Sequence, residues 1–319
     1  MRRPKPQGET SFLSSAQSLD LPVGPRVEPG ELRGYYIDFS NKVTEPSWPP
    51  TWLPPLDRQI HCETIQWALG CHERHLATED ERWLSAALVA AGYLAEIQSD
   101  TGGWEHLAPM PHTYHLPAPW LSALAQGEGA SLFARLHLLT RDQAHAERAR
   151  LALRTMEMPV EQGGVLAVLG GGALPEEYPT APPSFVLNGA IFALWGFYDV
   201  GIGLGDEEAM SAFRDGTETL AANIARWDVG YWSRYDLYPH PLVNVASAAY
   251  HRLHITQLRA MSLIAPDARL DRVREGFERY QLSRACRWRA FAAKAAFRLR
   301  VPRNRLLGRR MTRSIEDPN

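Results

Sequence analysis

From Asp57 to about residue 283, apolar residues recur at helical intervals, and the helices they predict are themselves repeated. The pattern predicts helices over about 57–76, 80–98, 120–139, 143–158, 184–200, 206–226, 246–264 and 268–283, which pair as four helical hairpins. Each of the first three pairs is followed by a glycine turn: Asp100-Thr-Gly-Gly-Trp104, Glu161-Gln-Gly-Gly-Val165 and Asp228-Val-Gly-Tyr-Trp232. One helix pair cannot bury its own apolar face, so a repeat of this length implies stacking. The expected fold is mainly α, an (α/α) toroid-like ring of hairpins, complete or partial, with the glycine turns and their loops gathered at one end.

Those loops hold the densest polar and aromatic positions. They are His106–Trp120 with His112, Tyr114 and His115, then Leu174–Ser184, then Gly230–Pro241. The last leads into a helix on which Tyr250, His254 and Gln257 share one face, while Ala248, Ile255 and Leu258 form a separate apolar face. Such a helix suits the wall of a polar pocket. It equally suits a buried helix whose polar tips are satisfied by neighbours.

Outside the repeats the pattern changes. Residues 1–55 are rich in Pro, Gly and Ser and read as a leader with a short strand at Tyr35–Phe39, a short β/irregular segment ahead of the ring. The Pro46–Pro55 stretch, with Trp48 and Trp52, is expected to cover a surface or line a groove. Residues 56–283 form the helical domain. Residues 284–319 form a basic tail whose helix puts Trp288, Phe291, Ala292, Ala295 and Leu299 on one stripe.

Charge sharpens this division. Residues 284–319 carry eleven Lys/Arg and two acidic residues, whereas residues 1–283 carry 23 basic and 34 acidic ones. The tail suits an anionic membrane surface or a polyanion, or a solvated helix docked on the acidic body. No nucleic acid is expected as partner. Three unevenly placed cysteines and a basic start without an apolar stretch behind it point to a reducing compartment. The expectation is therefore the cytoplasm, with the tail peripheral at the inner membrane. No run of about 18 apolar residues predicts a spanning helix.

Phosphate-cradling, dinucleotide and nucleophile-elbow motifs are missing. Leu169–Leu174 reads as a turn. Cys71 and His75 have a permissible ligand spacing, but an ordinary helix face explains them, and neither metal nor cofactor is expected. Gln98 to Trp104 fits the turn of triterpene-cyclase-like toroids, without the acidic cluster that chemistry needs.

Three segments together carry a resemblance. They are Ala118–Gly127 continuing to Leu138–Asp142; Glu177–Thr180 with Ser184–Gly189 and Gly196–Asp199; and Tyr235–Leu237 with Tyr250-His251, His254-Ile255 and Gln257-Leu258. In this order they resemble the C-terminal helical domain of the D-glucuronyl C5-epimerases, over roughly residues 57–283. That family converts glucuronate to iduronate in heparan-type chains such as heparosan. Two departures stand out. Animal members carry a large β-rich region ahead of this domain, and Tyr238–Pro241 reads Tyr-Pro-His-Pro where the family has an Arg-His pair.

The resemblance implies catalytic roles for Glu177, Tyr178, Tyr235 and Tyr250, with Tyr250 and Glu177 as opposed acid/base groups and the other two as relay or orienting groups. It makes Arg234, His251 and His254 candidates for the substrate carboxylate, and Trp120, Gln126 and Asn188 candidates for the sugar ring. The implied partner is a glucuronate-containing polysaccharide, and a homodimer is compatible with the sequence. A uronate lyase and a non-catalytic glycan-binding protein are the alternatives.

Overall fold

A computed structural model describes residues 23–111 and 113–302. The first 22 residues of the leader, His112 and the tail beyond residue 302 lie outside the described residues. Within them the chain is mainly helical. Four hairpins form in order: α1 (His61–Thr78) with α2 (Glu81–Ile97), α3 (Ala123–Thr140) with α4 (Gln143–Glu157), α5 (Leu187–Leu204) with α6 (Glu207–Asn223), and α7 (Ala248–Ile264) with α8 (Ala268–Leu282). Helix α9 (Arg284–Arg300) follows.

The odd-numbered helices make the inner row, with α1 packed on α3, α3 on α5 and α5 on α7, and each even-numbered helix backs its partner. The two rows differ in burial. Helix α3 is buried continuously from Ala123 to Leu136 and α5 from Leu187 to Gly201, whereas α4 buries only Ala146, Ala149, Ala152, Leu153, Thr155 and Met156. An apolar stripe at three- and four-residue spacing is enough for a helix covered on one side. Helix α5 is long and apolar enough to cross a membrane by length and composition, yet 83% of it is buried in the fold, as befits the central core helix. It crosses α3 where glycine faces glycine, and a Cβ on Gly196 would lie 2.6 Å from the Gly127 Cα.

The links within hairpins are short and chemically alike. Helices α1, α3 and α5 each end in a left-handed residue, Glu79 (φ 56°), Arg141 (φ 61°) and Gly205 (φ 64°). Each is followed by an aspartate, Asp80, Asp142 or Asp206, that caps the next helix by accepting a backbone N–H. Glycine pays no Cβ penalty in this conformation. Arg141 is exposed, so Arg141→Gly is expected to stabilise the protein by up to about 1 kcal/mol, read as a higher denaturation midpoint. A loss of stability would mean that the arginine side chain contributes more than its backbone strain.

The links between hairpins are long and lie at the opposite end. The three glycine turns predicted from sequence use their third residue in the left-handed region, at Gly102 (φ 95°), Gly163 (φ 89°) and Gly230 (φ 77°). The first long loop contains a small ladder, β1 (Met110–Pro111) with β2 (His115–Leu116). The second contains a hairpin, β3 (Leu166–Leu169) with β4 (Gly172–Pro175), joined by Gly170-Gly171 with both φ positive. The turn expected at Leu169–Leu174 is thus present, flanked by strands that the alternation there did not reveal.

The segment around Tyr35–Phe39 differs from expectation. It is no strand: Ile37 forms an isolated bridge with Val23, and Tyr35, Tyr36, Ile37 and Phe39 are buried among the helices. A fully buried ion pair holds it there. Arg135 of α3 binds Asp199 of α5 at 2.5 Å, Tyr36 donates to the other Asp199 oxygen at 2.6 Å, and Arg135 also donates to the Gly34 carbonyl at 2.9 Å. Gly70 of α1 admits the same segment, since a Cβ there would sit 2.5 Å from the Phe39 carbonyl oxygen. Trp48 packs on Trp67 and Tyr93, while Trp52 stays exposed.

Candidate active site

The N-terminal ends of the four inner helices converge on one cavity. Its lining includes Cys62, Glu63 and Gln66 of α1, Ser122 and Leu124 at the start of α3, Asn188 and Phe192 of α5, and Tyr250 and Leu253 of α7. The loops add His106, Trp120, Glu177 and Tyr178, and the N-terminal segment adds Phe39, Lys42 and Ile60. Helices α1, α3 and α5 begin with no side-chain cap, in contrast to the Asp-capped α2, α4, α6 and α8. The first N–H of each uncapped helix is taken within the fold, that of His61 by His106 Nε2, that of Ala123 by the Glu176 carbonyl and that of Leu187 by the Tyr235 carbonyl, but the helix starts still bring partial positive charge to this end.

One side of the cavity is the acid and tyrosine wall. Glu177 accepts a hydrogen bond from the Asn188 side-chain amide at 3.1 Å and is bonded to Tyr178. Burial pushes its carboxyl up to about 8, against the pull of those two bonds. The neighbouring Glu176 points away and builds the loop, accepting from the backbone N–H groups of Ser184 (2.8 Å) and Phe185 (2.7 Å). Phe185 sits at φ 44°, a strained conformation held by that carboxylate and by Trp227, whose indole N–H donates to the Phe185 carbonyl at 3.0 Å. Tyr250 enters from the first turn of α7, whose cap is Ser247. Its ring meets Tyr235 edge-on at 5.0 Å. Tyr235 stands behind the lining, bonded to Tyr178, and burial pushes the phenols of Tyr178 and Tyr235 well above their ordinary value.

The other side is a wall that the sequence did not disclose. Lys42 is the sole Lys or Arg among the described lining residues. It donates to the Gln66 side-chain carbonyl, and Gln66 donates to Glu128 at 2.8 Å. Burial holds the Lys42 ammonium below its ordinary pKa, and burial raises Glu63 and the Cys62 thiol. Glu128, fully buried, is pushed up to about 8, and its Oε2 has no hydrogen-bond partner. A carboxyl whose folded pKa exceeds its unfolded one favours the folded state below the unfolded pKa and loses that contribution as pH rises through the folded one. Glu128→Gln is therefore expected to gain stability over the parent between about pH 5 and pH 8, by a few kcal/mol at the upper end. Denaturant titrations at both ends of that window check this, and a pH-independent difference would refute the assignment.

Of the candidate ring contacts, Trp120 and Asn188 line the cavity, Trp120 stacked on His106 at 4.0 Å. Gln126 does not. It is fully buried and clamps the first glycine turn, accepting from the Trp104 N–H (3.0 Å) and donating to the Gly102 carbonyl and the Thr155 hydroxyl (both 2.8 Å).

The three candidates for the substrate carboxylate are also displaced from the lining. Arg234 donates to the Asp236 carbonyl at 3.1 Å. His251 stacks on Trp232 at 3.7 Å, with Nδ1 accepting from the Ser233 N–H and Nε2 against the Phe277 carbonyl. His254 bonds the Ser233 hydroxyl at 2.9 Å. Burial lowers His251 to about 4 and His254 well below its ordinary value, so both are neutral near pH 7 and supply no cation. They lock the third loop onto α7. Cys71 is a core residue, His75 lies against the Asp80 carbonyl, and no group of three or more His, Cys, Asp or Glu among the described residues could hold a metal ion.

Fold and site together define a helical scaffold that presents buried carboxyls and phenols, opposite one ammonium, to an anion-favouring pocket. Residues 98–279 match the family model for the D-glucuronyl C5-epimerase C-terminus, and the chain belongs to that family. A D-glucuronyl C5-epimerase of Caenorhabditis elegans is 32% identical over 207 residues, covering 59% of this chain and 33% of that protein. An uncharacterized protein of Methanocaldococcus jannaschii is 27% identical over 195 residues, covering 56% of this chain and 62% of its own. The match thus spans a third of the first relative's length and under two thirds of the second's.

Proposed function

We propose that this chain epimerises D-glucuronate at C5 within a glucuronate-containing polysaccharide, giving L-iduronate, with no cofactor. One observation carries the reading: Glu177, Tyr178 and Tyr250 share a cavity with a single ammonium, that of Lys42. The proton at C5 is acidic because its departure leaves an electron pair that spreads into the adjoining carboxylate. One group takes that proton, a second returns a proton to the opposite face of the same carbon, and no bond to the ring oxygen or to C4 breaks. Lys42 and the helix starts stabilise the charge that grows on the carboxylate.

Glu177 gives up its proton more readily than the phenols of Tyr178 and Tyr235 beside it, which burial holds well above 10. It serves as one acid/base, oriented by Asn188 and Tyr178. Tyr250 is the opposed partner, with Tyr235 behind it. The test is NMR of glucuronate polymers incubated with the protein in deuterated water. The proposal requires deuterium at C5 and the appearance of iduronate without chain cleavage. Absorbance from an unsaturated uronate would instead favour a lyase, and no exchange on any glucuronan of a panel would support a non-catalytic glycan-binding protein. Exchange that survives undiminished in Tyr250→Phe would remove Tyr250 from the acid/base pair.

A further inference from the structure

Helix α9 packs by an unexpected face. Its buried side consists of Ala290 and Phe297, and Lys294 beside them donates to the Asn244 side chain (2.7 Å) and the Val245 carbonyl (2.8 Å). Its other side points into solvent carrying large apolar groups: Trp288 is 72% exposed, Phe291 67% and Leu299 87%. At about 100° per residue these three lie with Ala292 and Ala295 on the arc opposite Phe297. Leu282, just ahead of the helix, is exposed as well. Arg287 and the half-buried Arg298 flank the arc on one side, Arg300 and Arg289 (stacked on Tyr231 at 3.9 Å) flank it on the other, Arg284 in the first turn lies within it, and the helix contains no Asp or Glu.

We infer that α9 is a membrane-surface helix that seats this protein on an anionic lipid bilayer. An aromatic and aliphatic arc bordered on both sides by arginines matches the headgroup boundary, where the rings enter the acyl edge and the guanidinium groups reach back to phosphates. Each basic residue near such a surface contributes about 1 kcal/mol. The sequence continues with Arg303, Arg305, Arg309, Arg310 and Arg313. A soluble polyanion would use the arginines and gain nothing from Trp288, Phe291 and Leu299. A second copy would bring the same unrelieved positive charge against this one.

The test is co-sedimentation of the full chain with vesicles of phosphatidylcholine alone and of phosphatidylcholine mixed with phosphatidylglycerol. Binding is expected only to the anionic vesicles, with release at high salt. The variant Trp288→Ser/Phe291→Ser/Leu299→Ser should weaken it by at least about tenfold, with an unchanged circular dichroism spectrum and unchanged C5 exchange if that activity is present. Arg284→Gln/Arg287→Gln/Arg300→Gln should weaken binding and lessen its salt dependence. Equal binding by the apolar triple variant would overturn the inference. So would binding to soluble heparin but not to vesicles, or a dimer in sedimentation velocity that the apolar triple variant abolishes. None of these outcomes bears on the catalytic proposal.

Discussion

Glu177→Gln is expected to lower kcat/KM for C5 exchange by about 10²–10⁴-fold, the range for removing a general acid/base group from a proton transfer. Glutamine keeps the shape and still accepts from Asn188, so the loss reports the proton and not the packing. In the parent protein, burial pushes this carboxyl up to about 8. If it must be ionised to take the C5 proton, kcat/KM should climb about tenfold per pH unit up to pH 8 and then level. That rising limb should vanish in Glu177→Gln. Asn188→Ala removes a hydrogen bond that favours the ionised form, so its limb should move to higher pH while the plateau stays measurable. A flat profile between pH 6 and 8 in the parent protein would exclude Glu177 as the ionising group.

The second large effect belongs to Lys42. Lys42→Met preserves length and apolar stem but removes the ammonium, and should lower kcat/KM by about 10²–10³-fold, as when a donor to a developing anion is lost. KM should rise and kcat should fall together, because the carboxylate is negative in the substrate and more so in the enediolate-like intermediate. Free D-glucuronate is expected to inhibit the parent weakly through the same contact and not to inhibit this variant, a readout that a merely structural lysine would not move. Kinetics within twofold of the parent would place the carboxylate elsewhere in the pocket.

The repeat made much of this scaffold legible, because helices that bury a stripe must space their apolar residues accordingly. The same holds for Gly102, Gly163 and Gly230, whose backbone conformation suits glycine. Glu177, Tyr178, Tyr250, Trp120 and Asn188 were findable through their likeness to a known family, and they do meet in one cavity. Lys42 was not findable. It sits in a Pro- and Gly-rich stretch that looks like a leader, held in place by contacts that no local pattern announces, such as the donation from Arg74 to the Ser40 carbonyl at 3.1 Å. The positions of His251 and His254 outside the lining were not legible for the complementary reason, since a histidine in sequence looks the same whether it faces a ligand or a serine hydroxyl. In α9 the apolar stripe was visible, but its direction was not. The inward side is set by Lys294 and Phe297, which meet Asn244 and His240 of a distant loop.

The cavity has two walls of separate origin. The acid and tyrosine wall, from Trp120 to Tyr250, lies within the matched region 98–279, while Phe39, Lys42, Cys62, Glu63 and Gln66 of the other wall lie before it and Glu128, behind them, lies within it. On the proposed function, the residues that would bind the carboxylate and those that would move the C5 proton lie in different stretches of chain. If that proposal holds, substitutions within residues 39–66 should change which uronate is accepted while leaving the acid/base residues untouched.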